Sequence, residues 1–174
     1  MGKIMDKARI GIVAVASQDE SGGQRADGFL LDTKKQMSDI GVDVVCADKV
    51  VWNPADALDV CTQFKDDEVD AIVIIYSTWI LDSLTYVLVN NISIPVVLWA
   101  VPYTETFSLA CVQHMGAVLK AQGIPYQYLY GLPTEQAIVE KLEKIAEAAR
   151  LLRLAKTMNV ALMGPRQTWR VAGP

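Results

Sequence analysis

The feature that most constrains the fold of this chain is a regular alternation between short apolar segments and longer amphipathic ones. The apolar segments carry few charged residues and lie at 8–16, 42–47, 69–76, 94–101 and 126–130. The segments between them place apolar residues at helical spacing, over 26–40, 54–64, 81–89, 108–122 and 134–156. Continuously apolar strands are typical of parallel sheets covered by helices on both faces. The alternation therefore predicts an α/β fold with a flavodoxin-like, doubly wound parallel sheet of five strands.

Two helix starts carry residue types that cap helices. Asn53-Pro54 is typical of an N-cap followed by the first helical position, and Thr134 is the expected cap of the last helix.

The C-terminal segment begins a pattern that it does not complete. Residues 159–163 (NVALM) predict the start of a sixth strand, and Gly164-Pro165-Arg166 follows without a further helix before Pro174. We therefore predict an N-terminal flavodoxin-like domain over 1–157. Residues 158–174 are expected to open a second, truncated α/β domain.

Composition argues against several classes of protein. The chain has 16 Lys and Arg against 20 Asp and Glu, a net charge of −4, which does not favour nucleic-acid binding. Its 3 cysteines are far apart and form no CxxC pair, which favours a reducing, cytoplasmic location without disulfides or zinc. The apolar stretch 71–101 is interrupted by Asp82, Asn90-Asn91 and Pro95, so we expect no membrane span.

Candidate site residues are those that follow the strands, because ligands of open parallel sheets bind at the carboxyl ends of the strands. This set is rich in hydroxyl, amide and aromatic side chains, which suits a polyhydroxylated ligand better than a phosphate. It comprises Ser17, Gln18, Asp19, Glu20, Gln24, Arg25, Asp48, Trp52, Ser77, Thr78, Trp79, Tyr103, Thr104, Glu105, Thr106, Tyr130, Gly131, Arg166 and Gln167.

Common catalytic arrangements are not evident. The first loop, 16–23, matches neither GxGxxG nor a P-loop, and its Gly22-Gly23 pair suits an anion nest or simple loop flexibility. His114, the single histidine, lies inside a predicted helix, three residues after Cys111, with no evident third partner to orient it. A role on the helix surface or in the core is the alternative for His114. Carboxylates are plentiful, yet no His, Asp and Glu group has the spacing of a metal site.

Trp79 is the most informative aromatic residue, because it follows the third predicted strand and strand ends of a parallel sheet face the ligand crevice. An indole at that place can stack on the apolar face of a sugar ring. It can equally anchor a loop over the rim of the sheet, and the residues alone leave both interpretations open. Trp99 lies within a predicted strand and is expected in the core.

Several short motifs, in order, resemble the N-terminal domain of the L-fucose isomerase and L-arabinose isomerase superfamily. They are Ile10-Gly11-Ile12-Val13, Ser77-Thr78-Trp79, Leu98-Trp99-Ala100, Tyr103-Thr104-Glu105-Thr106, Gly123-Ile124-Pro125-Tyr126, Tyr130-Gly131 and Met163-Gly164-Pro165-Arg166. The resemblance extends over essentially the whole chain.

The resemblance implies an aldose–ketose isomerase of three domains that acts on a monosaccharide of the pentose or 6-deoxyhexose class. It implies a divalent metal, usually Mn²⁺, held by a Glu, an Asp and a His of later domains, so that no cofactor is expected in this chain. It also implies a homo-oligomer, a trimer or hexamer, in which the N-terminal domain helps to close a neighbour's active site. Trp79 would pack against the sugar, with the Gln113 region and Tyr103 and Glu105 of loop 103–106 near the same rim. Gln18 and Arg25, in a loop that departs from the family's pattern, complete the expected substrate-binding residues.

Two other functions are compatible with the residues. One is a sugar-binding or assembly module without catalysis, since the chain lacks a metal-ligand set. The other is a flavodoxin-like electron carrier, although the first loop matches a flavin mononucleotide site poorly.

Overall fold

A computed structural model of the chain describes residues 7–39, 42–161 and 164. Over these residues the chain forms one sheet of five parallel strands in the order β2-β1-β3-β4-β5. The strands are β1 (Arg9–Val15), β2 (Asp43–Cys46), β3 (Ala71–Tyr76), β4 (Val96–Ala100) and β5 (Tyr126–Tyr130).

Over the described residues, four α-helices connect the strands, a fifth follows the last strand, and together the five helices cover both faces of the sheet. They are α1 (Ala26–Asp39), α2 (Pro54–Asp66), α3 (Asp82–Asn91), α4 (Ser108–Ala121) and α5 (Gln136–Thr157). Helices α1 and α5 share one apolar cluster with the sheet, and α2, α3 and α4 share the other. The predicted flavodoxin-like, doubly wound α/β fold is confirmed.

The central strands are apolar on both sides because each face of the sheet is covered. In β3, Ile72 and Ile74 pack toward α2–α4, whereas Val73 and Ile75 pack toward α1 and α5. All four side chains are fully buried. Side chains alternate between the two faces of a strand, so a strand in this position needs an apolar residue at every step.

A close approach between helix and sheet explains the glycine in β1. A Cβ atom at Gly11 would lie 2.9 Å from the Phe64 ring, nearer than such atoms approach in proteins. The missing side chain lets Phe64 of α2 pack directly onto the backbone of β1.

One predicted helix cap is confirmed and one is wrong. The Asn53 side chain accepts hydrogen bonds from the backbone N–H groups of Ala55 and Asp56, with Pro54 at the first helical position. Helix α5 starts at Gln136 with Glu135, not Thr134, as its N-cap residue and without a side-chain cap. The Glu135 carboxylate instead accepts a hydrogen bond of 2.8 Å from the Leu132 N–H, which closes the turn before the helix.

The sixth strand and the second domain stay predictions. Residues 159–161 form neither helix nor strand, and the remainder of the predicted strand, 162–163, lies outside the described residues, as do Arg166 and Gln167.

The three cysteines and Trp99 differ in burial and in their contacts. Cys61 and Cys111 are buried, Cys46 is half-buried, and all three thiols are free. Trp99 is fully buried, and its Nε1–H donates a hydrogen bond of 2.9 Å to the Gly131 carbonyl oxygen. Within the described part of the chain, no helix has the length and apolar character needed to cross a bilayer.

Candidate functional site

The sheet order places a crevice between the carboxyl ends of β1 and β3. These strands are neighbours in the sheet, yet the chain leaves β1 toward β2 at one edge and leaves β3 toward β4 at the other. Such a switch point is where ligands bind in open parallel sheets. The cavity found here has a volume of about 400 Å³. It is lined by Ala16, Ser17, Gln18, Asp19, Glu20, Trp52, Asn53, Trp79, Ile80, Leu81 and Leu84.

Two tryptophans reach this cavity from opposite layers of the fold. Trp79 packs against the apolar cluster of α2–α4, and Trp52 packs against the cluster of α1 and α5. Both rings are half-buried. The absence of a side chain at Gly23 leaves room for the Trp52 ring, because a Cβ atom at Gly23 would lie 3.1 Å from the indole Cη2 and Cζ3 atoms. The cavity therefore has an indole on each of two walls.

A threonine joins the loops that follow β1 and β3. The Thr78 hydroxyl accepts a hydrogen bond of 2.8 Å from the Ser17 N–H and lies 2.8 Å from the Trp79 carbonyl oxygen, to which it donates. Gln18 comes next in the first loop and is exposed at the cavity. The structure thus brings together two of the expected substrate-binding residues, Gln18 and Trp79.

The other three expected residues form a separate cluster. The Arg25 guanidinium donates a hydrogen bond of 2.8 Å to the Glu105 carboxylate and lies 4.3 Å from the centre of the Tyr103 ring. The Tyr103 ring in turn lies 6.1 Å from that of Phe29 in α1. Arg25 thus contacts both Tyr103 and Glu105, and none of the three lines the cavity that holds Gln18 and Trp79. A hydrogen bond from its own backbone N–H and the Arg25 guanidinium lower the pKa of Glu105.

The turn Thr104–Thr106, a short 3-10 helix, links this cluster to the cavity. Gly22 has a φ of 98°, and a Cβ atom there would lie 2.6 Å from the Thr106 side chain. On its other side, the Thr106 carbonyl oxygen accepts a hydrogen bond of 2.8 Å from the Trp79 N–H. The first loop, the turn and Trp79 therefore lie in contact as one layer.

Two polar side chains, His114 and Asp82, lie next to Trp79. The His114 imidazole stacks on the indole, with ring centres 5.7 Å apart and an angle of 27° between the planes. Its Nε2 atom is 3.0 Å from Asp82 Oδ2 and 3.2 Å from Oδ1. Since a carboxylate only accepts hydrogen bonds, Nε2 carries the proton that is donated. Both side chains are about two-fifths exposed.

The described residues do not offer a metal site of their own. No group of three or more His, Cys, Asp and Glu side chains among them could hold a metal ion. Burial raises the pKa of the Cys111 thiol to about 11 and also raises the pKa of Cys61, which keeps both thiols protonated and unreactive at neutral pH.

The sequence pattern alone did not single out two features of the site. Trp52 was one of many residues after a strand, and the signal that could have distinguished it is its place just before the Asn53 helix cap, beside the central crevice. The contact of His114 with Trp79 and Asp82 joins α4 to the start of α3, a relation that local sequence does not express.

Comparison with known proteins identifies a family. The family model described as L-fucose isomerase, first N-terminal domain, matches residues 4–161. A sulfoquinovose isomerase from Alkalicoccus urumqiensis is 29% identical over 115 residues, which are 63% of this chain and 26% of that protein. The chain therefore spans about a quarter of the length of this relative.

Solved structures with similar folds are distant in sequence. An uncharacterized protein from Bacillus cereus ATCC 10987 superposes with a TM-score of 0.50 at 10% identity, covering 86% of this chain and 61% of that one. A ribose 5-phosphate isomerase from Thermotoga maritima gives a TM-score of 0.40 at 12% identity, covering 86% of this chain and 96% of that one. The first likeness shows a shared fold only, and the second is too weak to support more.

The resemblance drawn from the sequence motifs is confirmed by the family match, which extends over most of the chain. The chain belongs to the L-fucose isomerase family, whose first N-terminal domain it contains.

Proposed function

We propose that this chain supplies one wall of the monosaccharide site of an aldose–ketose isomerase, with the proton-transfer groups and metal ligands lying in other parts of the enzyme. The observation that carries the proposal is the cavity at the switch point, with Trp52 and Trp79 on two of its walls. Indole rings pack well on the apolar C–H faces of sugars, and the rim offers groups that hydrogen-bond to hydroxyls.

The charges around the cavity favour a neutral ring portion of the sugar at this wall. Its described lining includes the carboxylates of Asp19 and Glu20 and no Lys or Arg side chain. Arg25, the cation nearest along the first loop, is occupied by Glu105 and Tyr103. A phosphate or sulfonate group would meet like charge here, so an anionic substituent would have to face another part of the enzyme.

A divalent metal, Mn²⁺ in our proposal, does not fit the described residues of this chain, which provide no ligand set for it. The relative extends well beyond the matched quarter of its length, which leaves room for ligands elsewhere in such an enzyme. When bound there, the metal would polarise the sugar's carbonyl and hydroxyl oxygens. The residues of this chain would orient the ring and exclude water.

Assembly with other subunits would complete this wall. Leu81 lines the cavity and is 74% exposed, so it presents apolar surface at the rim. We propose that a neighbouring subunit of a homo-oligomer, a trimer or hexamer, covers it. A stand-alone sugar-binding module would use the same cavity and differ only in lacking turnover.

The proposal is tested by measuring monosaccharide binding to the 174-residue chain and to its variants by saturation-transfer NMR. L-fucose, L-arabinose and sulfoquinovose serve as ligands, and Trp52→Ala, Trp79→Ala and the distant exposed Tyr128→Ala as variants. We expect both tryptophan variants to lose about ten-fold in affinity, which corresponds to about 1.4 kcal/mol, and Tyr128→Ala to bind like the wild type. Equal binding by all four proteins would show that the cavity is not the sugar site. Turnover by the assembled enzyme with Mn²⁺ then separates an isomerase from a binding module.

A further inference from the structure

We infer that Asp82 and His114 are positioning residues that hold the Trp79 indole in its orientation at the cavity. This inference rests on the proposed function, since it assigns a sugar-binding role to Trp79. Neither residue lines the cavity, so neither is proposed to touch the sugar.

His114 contacts both other side chains: its ring stacks on Trp79 and its Nε2–H is hydrogen-bonded to Asp82. The imidazole of His114 lies on the indole at 5.7 Å between ring centres, and its Nε2–H donates to Asp82 at 3.0 Å. Asp82 is the first residue of α3, three residues after Trp79, whereas His114 comes from the middle of α4. The hydrogen bond therefore fixes the imidazole plane relative to the very segment that carries the indole.

The backbone at this point does not determine the side-chain orientation by itself. The Trp79 N–H donates to Thr106 and its carbonyl accepts from Thr78, and both bonds fix the main chain. The indole is half-buried and packs against the apolar cluster of α2–α4. Its orientation about the side-chain bonds is therefore set by the side chains that contact it. His114 is such a neighbour, because it covers the indole by stacking.

The Asp82 carboxylate is well placed to hold the imidazole. It lies in the first turn of α3, where the backbone N–H groups favour a negative charge. Since the Nε2–H is present in one neutral tautomer and in the charged imidazolium alike, the hydrogen bond does not depend on the charge of His114.

A purely structural role predicts a different outcome from a positioning role. An exposed polar side-chain pair of this kind contributes little to stability, so its removal should leave unfolding almost unchanged. A planar side chain that donates from the same place should preserve the stack. His114→Gln retains a planar group and an N–H donor, whereas His114→Ala loses both. Lys120→Ala is the matched control, at an exposed position near the end of α4.

The first readout needs no sugar. The indole N–H resonance of Trp79 in the ¹⁵N-labelled 174-residue chain is assigned with Trp79→Phe. We expect His114→Ala to shift and broaden this resonance, His114→Gln to restore most of its position, and Lys120→Ala to leave it unchanged. Asp82→Ala should reproduce the His114→Ala spectrum. An unmoved Trp79 resonance in His114→Ala would overturn the inference.

The second readout is the affinity for L-fucose. We expect His114→Ala to weaken binding about three- to ten-fold, the range that an aromatic contact commonly spans, with less than two-fold loss in His114→Gln and Lys120→Ala. Equal losses in His114→Ala and His114→Gln, accompanied by a lowered urea midpoint, would assign a structural role and overturn the inference. If Trp79→Ala itself binds normally, the proposed sugar role fails, while the indole spectrum still decides whether His114 positions the ring.

Discussion

The backbone N–H of Trp79 donates a hydrogen bond of 2.8 Å to the carbonyl oxygen of Thr106. This single bond joins the end of β3 to the turn after β4, and through that turn to the first loop, which rests on Thr106 at Gly22. The position of the candidate sugar wall therefore depends on contacts between loops that are far apart in sequence.

Gly22 is the residue on which this loop packing depends most clearly. We expect Gly22→Ala to destabilise the chain by about 1–3 kcal/mol, because an alanine would be strained at a φ of 98° and its Cβ would lie 2.6 Å from the Thr106 side chain. Urea unfolding measures the loss. Gly28→Ala is the matched control: nothing lies within 4 Å of its Cβ position in α1, so we expect a gain of about 0.5–1 kcal/mol from helix propensity. Equal effects of the two substitutions would contradict the loop packing.

Trp99 holds the turn after β5 from inside the core. Trp99→Phe removes the hydrogen bond to the Gly131 carbonyl and leaves both a void and an unpaired buried oxygen. We expect a loss of about 2–4 kcal/mol in unfolding free energy. Tyr128→Phe on the exposed side of β5 should change the same quantity by less than about 0.5 kcal/mol. A Trp99→Phe loss as small as the control's would show that the buried hydrogen bond is unimportant.

The Glu105 carboxylate makes stability depend on acid pH. Its pKa in the folded chain lies below the ordinary value of 4.5, because its own backbone N–H and Arg25 favour the charged form. The associated stability is fully present above 4.5 and is lost as the pH falls through the lower pKa of the folded chain. We therefore expect the stability difference between wild type and Glu105→Gln to shrink on acidification through that window. A difference that stays constant between neutral and strongly acidic pH would contradict the assignment.

The three thiols should differ in reactivity. Burial raises the pKa of Cys46, Cys61 and Cys111, with that of Cys111 reaching about 11. Cys46 is the only one of these that is not fully covered. We expect Ellman's reagent at pH 8 to modify Cys46 first and Cys111 last, and all three together in denaturant. Rapid modification of Cys111 in the native chain would show that the α4 side opens locally.

Much of the fold follows from the sequence because its signals are local. Apolar strands such as β3 (Ala71–Tyr76), in which successive side chains face opposite helical layers, can be recognised from composition alone. The Asn53-Pro54 cap is equally local, since its hydrogen bonds reach only two and three residues along the chain. The prediction of Thr134 as a helix cap was wrong because the Glu135 carboxylate accepts a hydrogen bond from the Leu132 N–H and closes the preceding turn. The residue types in this segment do not indicate that turn.

The site is harder to predict because its contacts are long-range. The strand-end rule selected Gln18 and Trp79, which line one cavity, yet it treated every loop as equivalent. It therefore could not tell that Arg25 and Glu105, 80 residues apart, pair with each other away from that cavity. The place of Trp52 beside the switch point depends on its contact with Gly23 in the first loop, which lies far from Trp52 in sequence.

The measurement that tests the central claim most directly is the response of the tryptophan indole N–H resonances to added L-fucose, L-arabinose or sulfoquinovose. Trp52 and Trp79 face the proposed sugar site, whereas Trp99 is fully buried and serves as an internal control. We expect the first two resonances to shift saturably with one common affinity while that of Trp99 stays in place. If neither Trp52 nor Trp79 responds to any of the three sugars, the switch-point cavity is not a monosaccharide site.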